Sequence, residues 1–482
     1  MKVKIVLHVL SVITLILSLF IFLSALVALY YGEITSVFAF LKTLAIVIPL
    51  SLIIYSITGG ARHQVLGTRE GFLLVSCSWI AASLAGALPF VFSGAIPSYT
   101  DAFFETMSGF TTTGASILTD IESISHGMLF WRSMTHWLGG MGIVVLTVAL
   151  LPLLGIGGIQ LLKAEAPGPS MDKITPKITQ TAKILWLIYV GFTVVEIILL
   201  MLGGMSLFDA STHTFGTLAT GGFSTRGASV GAFDSAYIHI VITVFMIMAG
   251  MNFNLYYKII SGNFSAFFKD TEMRVYLGIF FIITILISIN LLSTYGSFGK
   301  SLQYAGFQVA SILTTTGYAT TDFALWPAFS KNALFFVMFV GGCSGSTGGG
   351  IKVVRIVTLM KLAVHEMKQM VYPSGVFHLR INGVIMKKEI VYPIAGFFFL
   401  YLLLLLAVTL SVGSGGFDII TSFSTALVTL GNIGPGFGKI GPALNYSFYP
   451  VYIKWVLSLA MMLGRLEIYT VLILITPKFW RP

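Results

Sequence analysis

The chain has 482 residues, of which 56% are hydrophobic and only 10% charged, with a formal net charge of +10. A soluble globular chain carries roughly 25% charged residues, so a water-facing surface cannot be assembled here and much of the surface must face lipid. The excess positive charge would point to nucleic acid only if it gathered on a soluble face; it sorts by membrane side instead, so no nucleic-acid partner is expected.

Long apolar runs appear at Val6 to Tyr30, Leu41 to Ile57, Phe72 to Phe92, Ile184 to Leu202, Tyr276 to Leu292 and Ile390 to Val412. Each is near or above the roughly 20 residues a helix needs to cross hydrocarbon. A span in lipid must satisfy its own backbone, so these are helices. Lys2 and Lys4 before the first run imitate a secretory signal. That run is too long for a signal core of roughly 7–15 residues, and it is expected to be a retained span. Cys77 and Cys343 are the only cysteines, too few for a disulfide framework or a metal cage. No nucleophile–base arrangement stands out, and an enzyme is not expected.

With the N-terminus inside, the inner segments hold 20 Lys and Arg and the outer ones hold 4. This obeys the positive-inside rule and puts both termini in the cytoplasm. The outer face is left acidic, which would concentrate cations near an entrance.

From residue 93 onward, each outer segment is too long for a simple loop and too short to span twice. Four of them align around one glycine. They are Glu105 to Ala115 around Gly114, Thr212 to Gly222 around Gly221, Gln308 to Tyr318 around Gly317, and Ser422 to Asn432 around Gly431. Asp101, Asp209, Ser301 and Asp418 lie about a dozen residues upstream as candidate N-caps. About ten helical residues reach roughly 15 Å, half the hydrocarbon thickness. Each segment is therefore a half-helix that stops mid-membrane, followed by a glycine loop. Backbone at that depth must be buried in protein or line a water-filled cavity.

The predicted fold is an all-α polytopic membrane protein. Four pseudo-symmetric helix–half-helix–helix repeats surround a central pore, after two leading spans. Ten spanning helices and four re-entrant hairpins are expected. The divisions are 1–68 for the leading spans, 69–182 for repeat one (loop 111–116), 183–273 for repeat two (loop 217–223), 274–389 for repeat three (loop 314–319) and 390–482 for repeat four (loop 429–434).

A dehydrated alkali cation needs several oxygens at once, and four loops of backbone carbonyls can replace its hydration shell. Glycine lets the carbonyls turn inward by adopting dihedrals that other residues resist. The candidate ion-binding residues are Thr112, Thr113 and Gly114; Ala219, Thr220 and Gly221; Thr315, Thr316 and Gly317; and Thr429, Leu430, Gly431 and Asn432. Uncharged carbonyls and half-helix C-terminal dipoles favour reversible binding of a monovalent ion.

The loops Thr-Thr-Thr-Gly114-Ala-Ser, Ala-Thr-Gly221-Gly-Phe-Ser-Thr, Thr-Thr-Thr-Gly317-Tyr and Thr-Leu-Gly431-Asn-Ile-Gly-Pro-Gly resemble the four filter loops of the Trk/Ktr/HKT superfamily of potassium and sodium transporters. The resemblance covers essentially the whole chain, and the two leading spans place it with the TrkH/TrkG branch. It implies a bacterial plasma-membrane protein that takes up K⁺ as its transported ion, without an organic cofactor. In this superfamily glycine in all four loops accompanies potassium selectivity, and serine in the first accompanies sodium. Gly114 thus implies potassium, with a sodium-permeable or sodium-coupled member as the alternative. The resemblance also implies a homodimer and a cytoplasmic nucleotide-binding regulatory ring of TrkA type. The loops depart from the Thr-Val-Gly-Tyr-Gly of tetrameric potassium channels, and Leu430 and Asn432 break the symmetry.

Two features suggest gates. Gly341 to Gly350 holds six glycines in ten residues, which cannot sustain a helix at about 1 kcal/mol each relative to alanine. In the family, a loop at this place, here with Gly345, Gly348, Gly349 and Gly350, lies under the filter and obstructs conduction. Arg465 lies mid-span, where a charge is expensive and marks a pathway. It is expected to face the pore as an electrostatic barrier, as the matching family position does.

Overall fold

The computed structural model describes residues 1–61, 66–142 and 178–481. Among the described residues, six helices are long and apolar enough to cross a membrane: Val3–Tyr30, Ile34–Ile57, Thr68–Ser93, Thr181–Leu202, Thr271–Asn290 and Lys388–Gly413. Each contains or closely overlaps an apolar run named above. Their large exposed side chains, such as Leu19, Phe281, Ile285 and Leu406, are stable outside a core only if lipid surrounds them. The first two helices pack on each other and on the third.

Between the spans lie four short helices, Tyr99–Phe110, Leu207–Leu218, Phe298–Leu313 and Ile419–Leu430. At about 1.5 Å per residue none crosses the roughly 30 Å of hydrocarbon. Their last turns are buried throughout. Three of the expected caps are corrected. The N-caps are Ser98, Ser206, Ser297 and Asp418, while Asp101, Asp209 and Ser301 lie within the first turn. At Ser98 and Ser206 the cap hydroxyl accepts from the amide three residues on, whereas Ser297 makes no such bond. The Ser206 hydroxyl accepts from the Asp209 amide at 3.0 Å and donates to its carboxylate, also at 3.0 Å. Ser98 accepts from the Asp101 amide, which frees the Asp101 carboxylate to hold Lys454 of repeat four at 2.6 Å.

An interruption is expected only in repeat three, at Gly341 to Gly350; among the described residues the second helices of repeats two and four are broken as well. Ala236–Ala249 and Phe253–Ile260 meet at 95°, and Val451–Arg465 and Ile468–Ile475 at 119°. Repeat three breaks between Ala328–Val337 and Val353–Val371. In repeat one, His126–Gly140 ends just before residues that lie outside the described ones. The breaks sit where the half-helices end. A Cβ on Gly139 would come closer than 3.0 Å to the Phe110 carbonyl, and one on Gly464 would do the same to the Leu430 carbonyl. Glycine is required there because another backbone occupies the space.

The second helix of repeat one packs between half-helices one and two, that of repeat two between two and three, and that of repeat four between four and one. This cyclic order closes the ring. Among the described residues, the one departure from an all-helical fold is a hairpin pairing Arg380–Ile381 with Val384–Ile385. Asn382 and Gly383 turn it, both at positive φ, as a two-residue hairpin turn requires.

Candidate functional site

Each half-helix ends in the same way. Thr112, Thr220, Thr315 and Asn432 have φ of 51°, 53°, 60° and 53°. Their amides bond back to Gly109, Thr217, Ile312 and Thr429 carbonyls. The next residues, Thr113, Gly221, Thr316 and Ile433, donate to Ser108, Gly216, Ser311 and Val428 at 2.8–2.9 Å. This is the left-handed helix stop that satisfies otherwise orphaned carbonyls. One residue further, Gly114, Gly222, Gly317 and Gly434 again have positive φ, between 75° and 91°. Two left-handed residues flanking one of ordinary φ turn the chain back outward.

A Cβ added to Gly114 would collide with the Gly221 carbonyl oxygen. One on Gly222 would collide with that of Thr316, one on Gly317 with that of Ile433, and one on Gly434 with that of Thr113. Each glycine therefore lies against the carbonyl of the next loop, and the fourth returns to the first. The four loops form a closed ring at one level.

This register corrects the sequence alignment in two repeats. Gly114 and Gly317 hold the expected positions. In repeat two the equivalent is Gly222, with Gly221 matching Thr113. In repeat four it is Gly434, three residues beyond Gly431. Ala219 and Gly431 cap their half-helices, with Gly431 at an ordinary φ of −82°. Thr429 and Leu430 belong to the last turn of half-helix four, and the Thr429 hydroxyl donates to the Thr425 carbonyl rather than toward the ring. Gly222, Ile433 and Gly434 are ring residues missing from the expected set. The signal was present as a threonine or asparagine, any residue, then glycine. Asparagine tolerates the left-handed region better than most residues, so Asn432 marks the true partner of Thr112.

The threonines at this position are unusual, because a β-branched residue at positive φ is an outlier. All are fully buried. Strain of this kind, of order 1–3 kcal/mol per residue, persists where surroundings fix it. Behind the ring, Tyr318 donates to the carbonyls of His213 and Phe223 at 2.9 and 3.2 Å, tying loop three to loop two. Tyr446 donates to the Gly434 carbonyl at 2.5 Å through its hydroxyl and to Ser116 at 2.8 Å through its amide, tying loop four to loop one.

The glycine-rich segment packs against this ring and the half-helix ends beside it. The Gly349 amide donates to the Thr315 hydroxyl at 2.7 Å. A Cβ on Gly349 would meet the Gly431 carbonyl and Asn432, and one on Gly348 the Thr314 carbonyl. Gly345 and Gly350 have φ of 71° and 65°. The segment folds back on itself, with the Gly341 amide on the Ile351 carbonyl. It is strapped to the break in repeat two by Cys343 donating to Gly250 and Phe253 to Gly345, at 2.8 and 3.0 Å. The Glu272 carboxylate accepts from the amides of Ser344 and Val354.

Arg465 ends the helix Val451–Arg465. Its guanidinium donates to the carbonyls of Thr347 at 2.5 Å, Gly139 at 2.7 Å and Gly140 at 2.9 Å. It thus joins the glycine-rich segment to the end of the second helix of repeat one. Glu467, at φ 63°, pairs with Arg355, whose guanidinium lies 3.8 Å above the Phe397 ring.

Comparison with known proteins agrees with this architecture. A family model described as TrkH, cation transport protein, matches residues 37–481. The Trk system potassium uptake protein TrkH of Escherichia coli (strain K12) is 43% identical over 421 residues, covering 86% of this chain and 87% of that protein. The Trk system potassium uptake protein TrkG of the same organism is 37% identical, covering 94% of each. The crystal structure of the potassium transporter TrkH from Vibrio parahaemolyticus superposes with a TM-score of 0.87 at 38% identity, covering 100% of both chains. The chain belongs to the TrkH family of cation transport proteins and is a multi-pass membrane transporter, not an enzyme.

Proposed function

We propose that the chain takes up potassium across a bacterial plasma membrane through a selectivity filter made by its four glycine loops. The observation that carries this reading is the cyclic contact of Gly114, Gly222, Gly317 and Gly434 with the carbonyls of the neighbouring loops. Four carbonyls at one level, with the half-helix C-terminal ends aimed at them, supply what a dehydrated monovalent cation needs without fixed charge. Entry is driven by the membrane potential, worth about 2.3 kcal/mol per charge per 100 mV.

The glycine-rich segment beneath the ring is the gate, and Arg465 is its latch. With Gly345, Gly348, Gly349 and Gly350 packed under the filter, the pathway is obstructed. Arg465 holds the obstruction by its bond to Thr347 and sets a positive charge across the path. Opening requires this segment to leave Thr315 and Arg465. The basic segments on one side of the membrane put both termini in the cytoplasm. There they offer a surface to a nucleotide-binding regulatory ring of TrkA type, with the transporter working as a homodimer of two pores. The repeats divide functionally at 69–182, 183–273, 274–389 and 390–482, each supplying one filter loop.

Rubidium-86 uptake into liposomes holding the purified chain tests the reading, with sodium as competitor. Potassium should compete strongly and sodium weakly. Replacing Gly114 with Ser should move selectivity toward sodium. Equal competition by sodium in the unaltered protein would instead favour the sodium-permeable alternative.

A further inference from the structure

The four loops share one backbone but not the side chains that hold it from behind. Nine residues before Gly114, Gly222, Gly317 and Gly434, the half-helices carry Glu105, His213, Gln308 and Thr425. All four are buried. The Glu105 carboxylate accepts from the Ser116 hydroxyl at 2.9 Å and the Ile117 amide at 2.8 Å, both just past Gly114. The same carboxylate pairs with Arg132 at 2.7 Å. Arg132 in turn donates to the Ser224 carbonyl of loop two at 3.0 Å and lies 3.5 Å over the Phe223 ring. His213 repeats half of this arrangement, with Nε2 2.9 Å from the Ser224 hydroxyl. Thr425 turns to Tyr449, and the Gln308 amide makes no hydrogen bond among the described residues.

We propose that Glu105 and Arg132 are positioning residues that clasp loops one and two and so set the discrimination between potassium and sodium. This rests on the loops being the filter. A carbonyl cage distinguishes the two ions only while its oxygens stay apart against the pull of the smaller one. The tyrosines that tie loops two to three and four to one make neutral hydrogen bonds. Between loops one and two, the tie is a buried ion pair with both partners at most 2% exposed. Charge-assisted bonds of this kind are shorter and stiffer than neutral ones. Leaving either charge alone in the interior is costly, which holds the pair to one geometry. The pair is also neutral as a unit, so it stiffens the ring without adding charge to the ion path. Arginine suits the role because its planar fork reaches the carboxylate and the Ser224 carbonyl together, which lysine cannot do.

The test uses the full-length protein in liposomes, with the ratio of rubidium-86 to sodium-22 uptake measured per amount of monodisperse protein. Glu105→Gln and Arg132→Lys should each lower that ratio by about tenfold, the weight of one charge-assisted hydrogen bond. Ser116→Ala, which removes one hydroxyl and keeps both charges, should lower it about twofold to threefold. Asp101→Asn breaks a different ion pair at the far end of the same half-helix and should leave the ratio unchanged, which separates positioning from general loss of stability. An unaltered ratio in folded Glu105→Gln and Arg132→Lys overturns the proposal. If neither folds, an unaltered ratio in Ser116→Ala does so. If Gly114→Ser shifts selectivity while the clasp variants do not, the filter reading stands and this inference alone fails. If Gly114→Ser also has no effect, the filter reading fails with it.

Discussion

The half-helix ends and the second helices packed beside them follow different rules. At the ends of the half-helices, four stretches that share only a threonine or asparagine two residues before a glycine adopt the same pair of left-handed residues and the same two backbone hydrogen bonds. Beside them, the second helices diverge. One bends by 95°, one by 119°, and one opens into the glycine-rich segment. As the proposed filter, the ring would constrain all its members alike, because each carbonyl would face the same ion. The proposed gate would need only one moving part, leaving its surroundings free to specialise. Side chains then differ even where the backbone repeats, as Glu105, His213, Gln308 and Thr425 do.

The largest expected effect tests whether the ring register is right. In repeat four, Gly434→Ala places a methyl at φ 91° against the Thr113 carbonyl. Strain and overpacking of a few kcal/mol should cut rubidium uptake to less than about a tenth. Gly431→Ala adds a methyl at an ordinary φ, 2.9 Å from the Leu427 carbonyl oxygen of its own half-helix rather than against a neighbouring loop, and should cost less uptake than Gly434→Ala. The reverse order of sensitivity would restore the sequence alignment and break the fourfold comparison.

Next in size are the second helices. Arg465→Ala removes its hydrogen bond to Thr347 of the proposed gate, its two bonds to Gly139 and Gly140, and a positive charge from the proposed path. Single-channel or flux measurements should show conduction raised about tenfold or more, since each bond to a charged donor is worth about 1.5–3 kcal/mol. A folded variant with unchanged flux would remove Arg465 from gating. Smaller again, Tyr318→Phe deletes the hydroxyl that ties loop three to loop two. It should lower thermal stability by about 1–3 kcal/mol and soften selectivity slightly; a change in flux without one in selectivity would place Tyr318 outside the filter brace.

The smallest effect lies at the outer surface. Asp418 caps half-helix four, and hydrogen bonds from Thr421 hold its carboxyl below the ordinary aspartate value. A lowered value in the folded state means the cap stabilises above the unfolded pKa and is lost as pH falls through the folded one. Melting curves of the wild type should therefore decline more steeply on acidification than those of Asp418→Asn, and identical slopes would remove the cap from the stability of this repeat.

Much of this was legible in the chain. The six long runs became six spans because apolar length in lipid has one solution. Half-helices before each glycine loop were foreseen from segment length. Register was harder. Gly221-Gly222 offers two candidate glycines, and repeat four carries Gly431, Gly434 and Gly436 within six residues. Counting along the chain selects among these by resemblance alone, whereas the backbone selects by φ. Three of the four caps failed for a similar reason, since Ser98 and Asp101, for example, are both good caps in isolation, while Asp418 holds its place. Asp101 is drawn inward by Lys454, more than three hundred residues away.

The sequence alone determined that this is a membrane protein of repeated helical units, because hydrophobic length and charge sidedness are one-dimensional properties that the bilayer reads directly. Which glycine meets which carbonyl, that Arg465 grips Thr347, and that Glu105 finds Arg132 were decided only in the tertiary structure. These contacts join residues far apart in sequence, and the pattern within any one repeat carries no information about the partner it will meet.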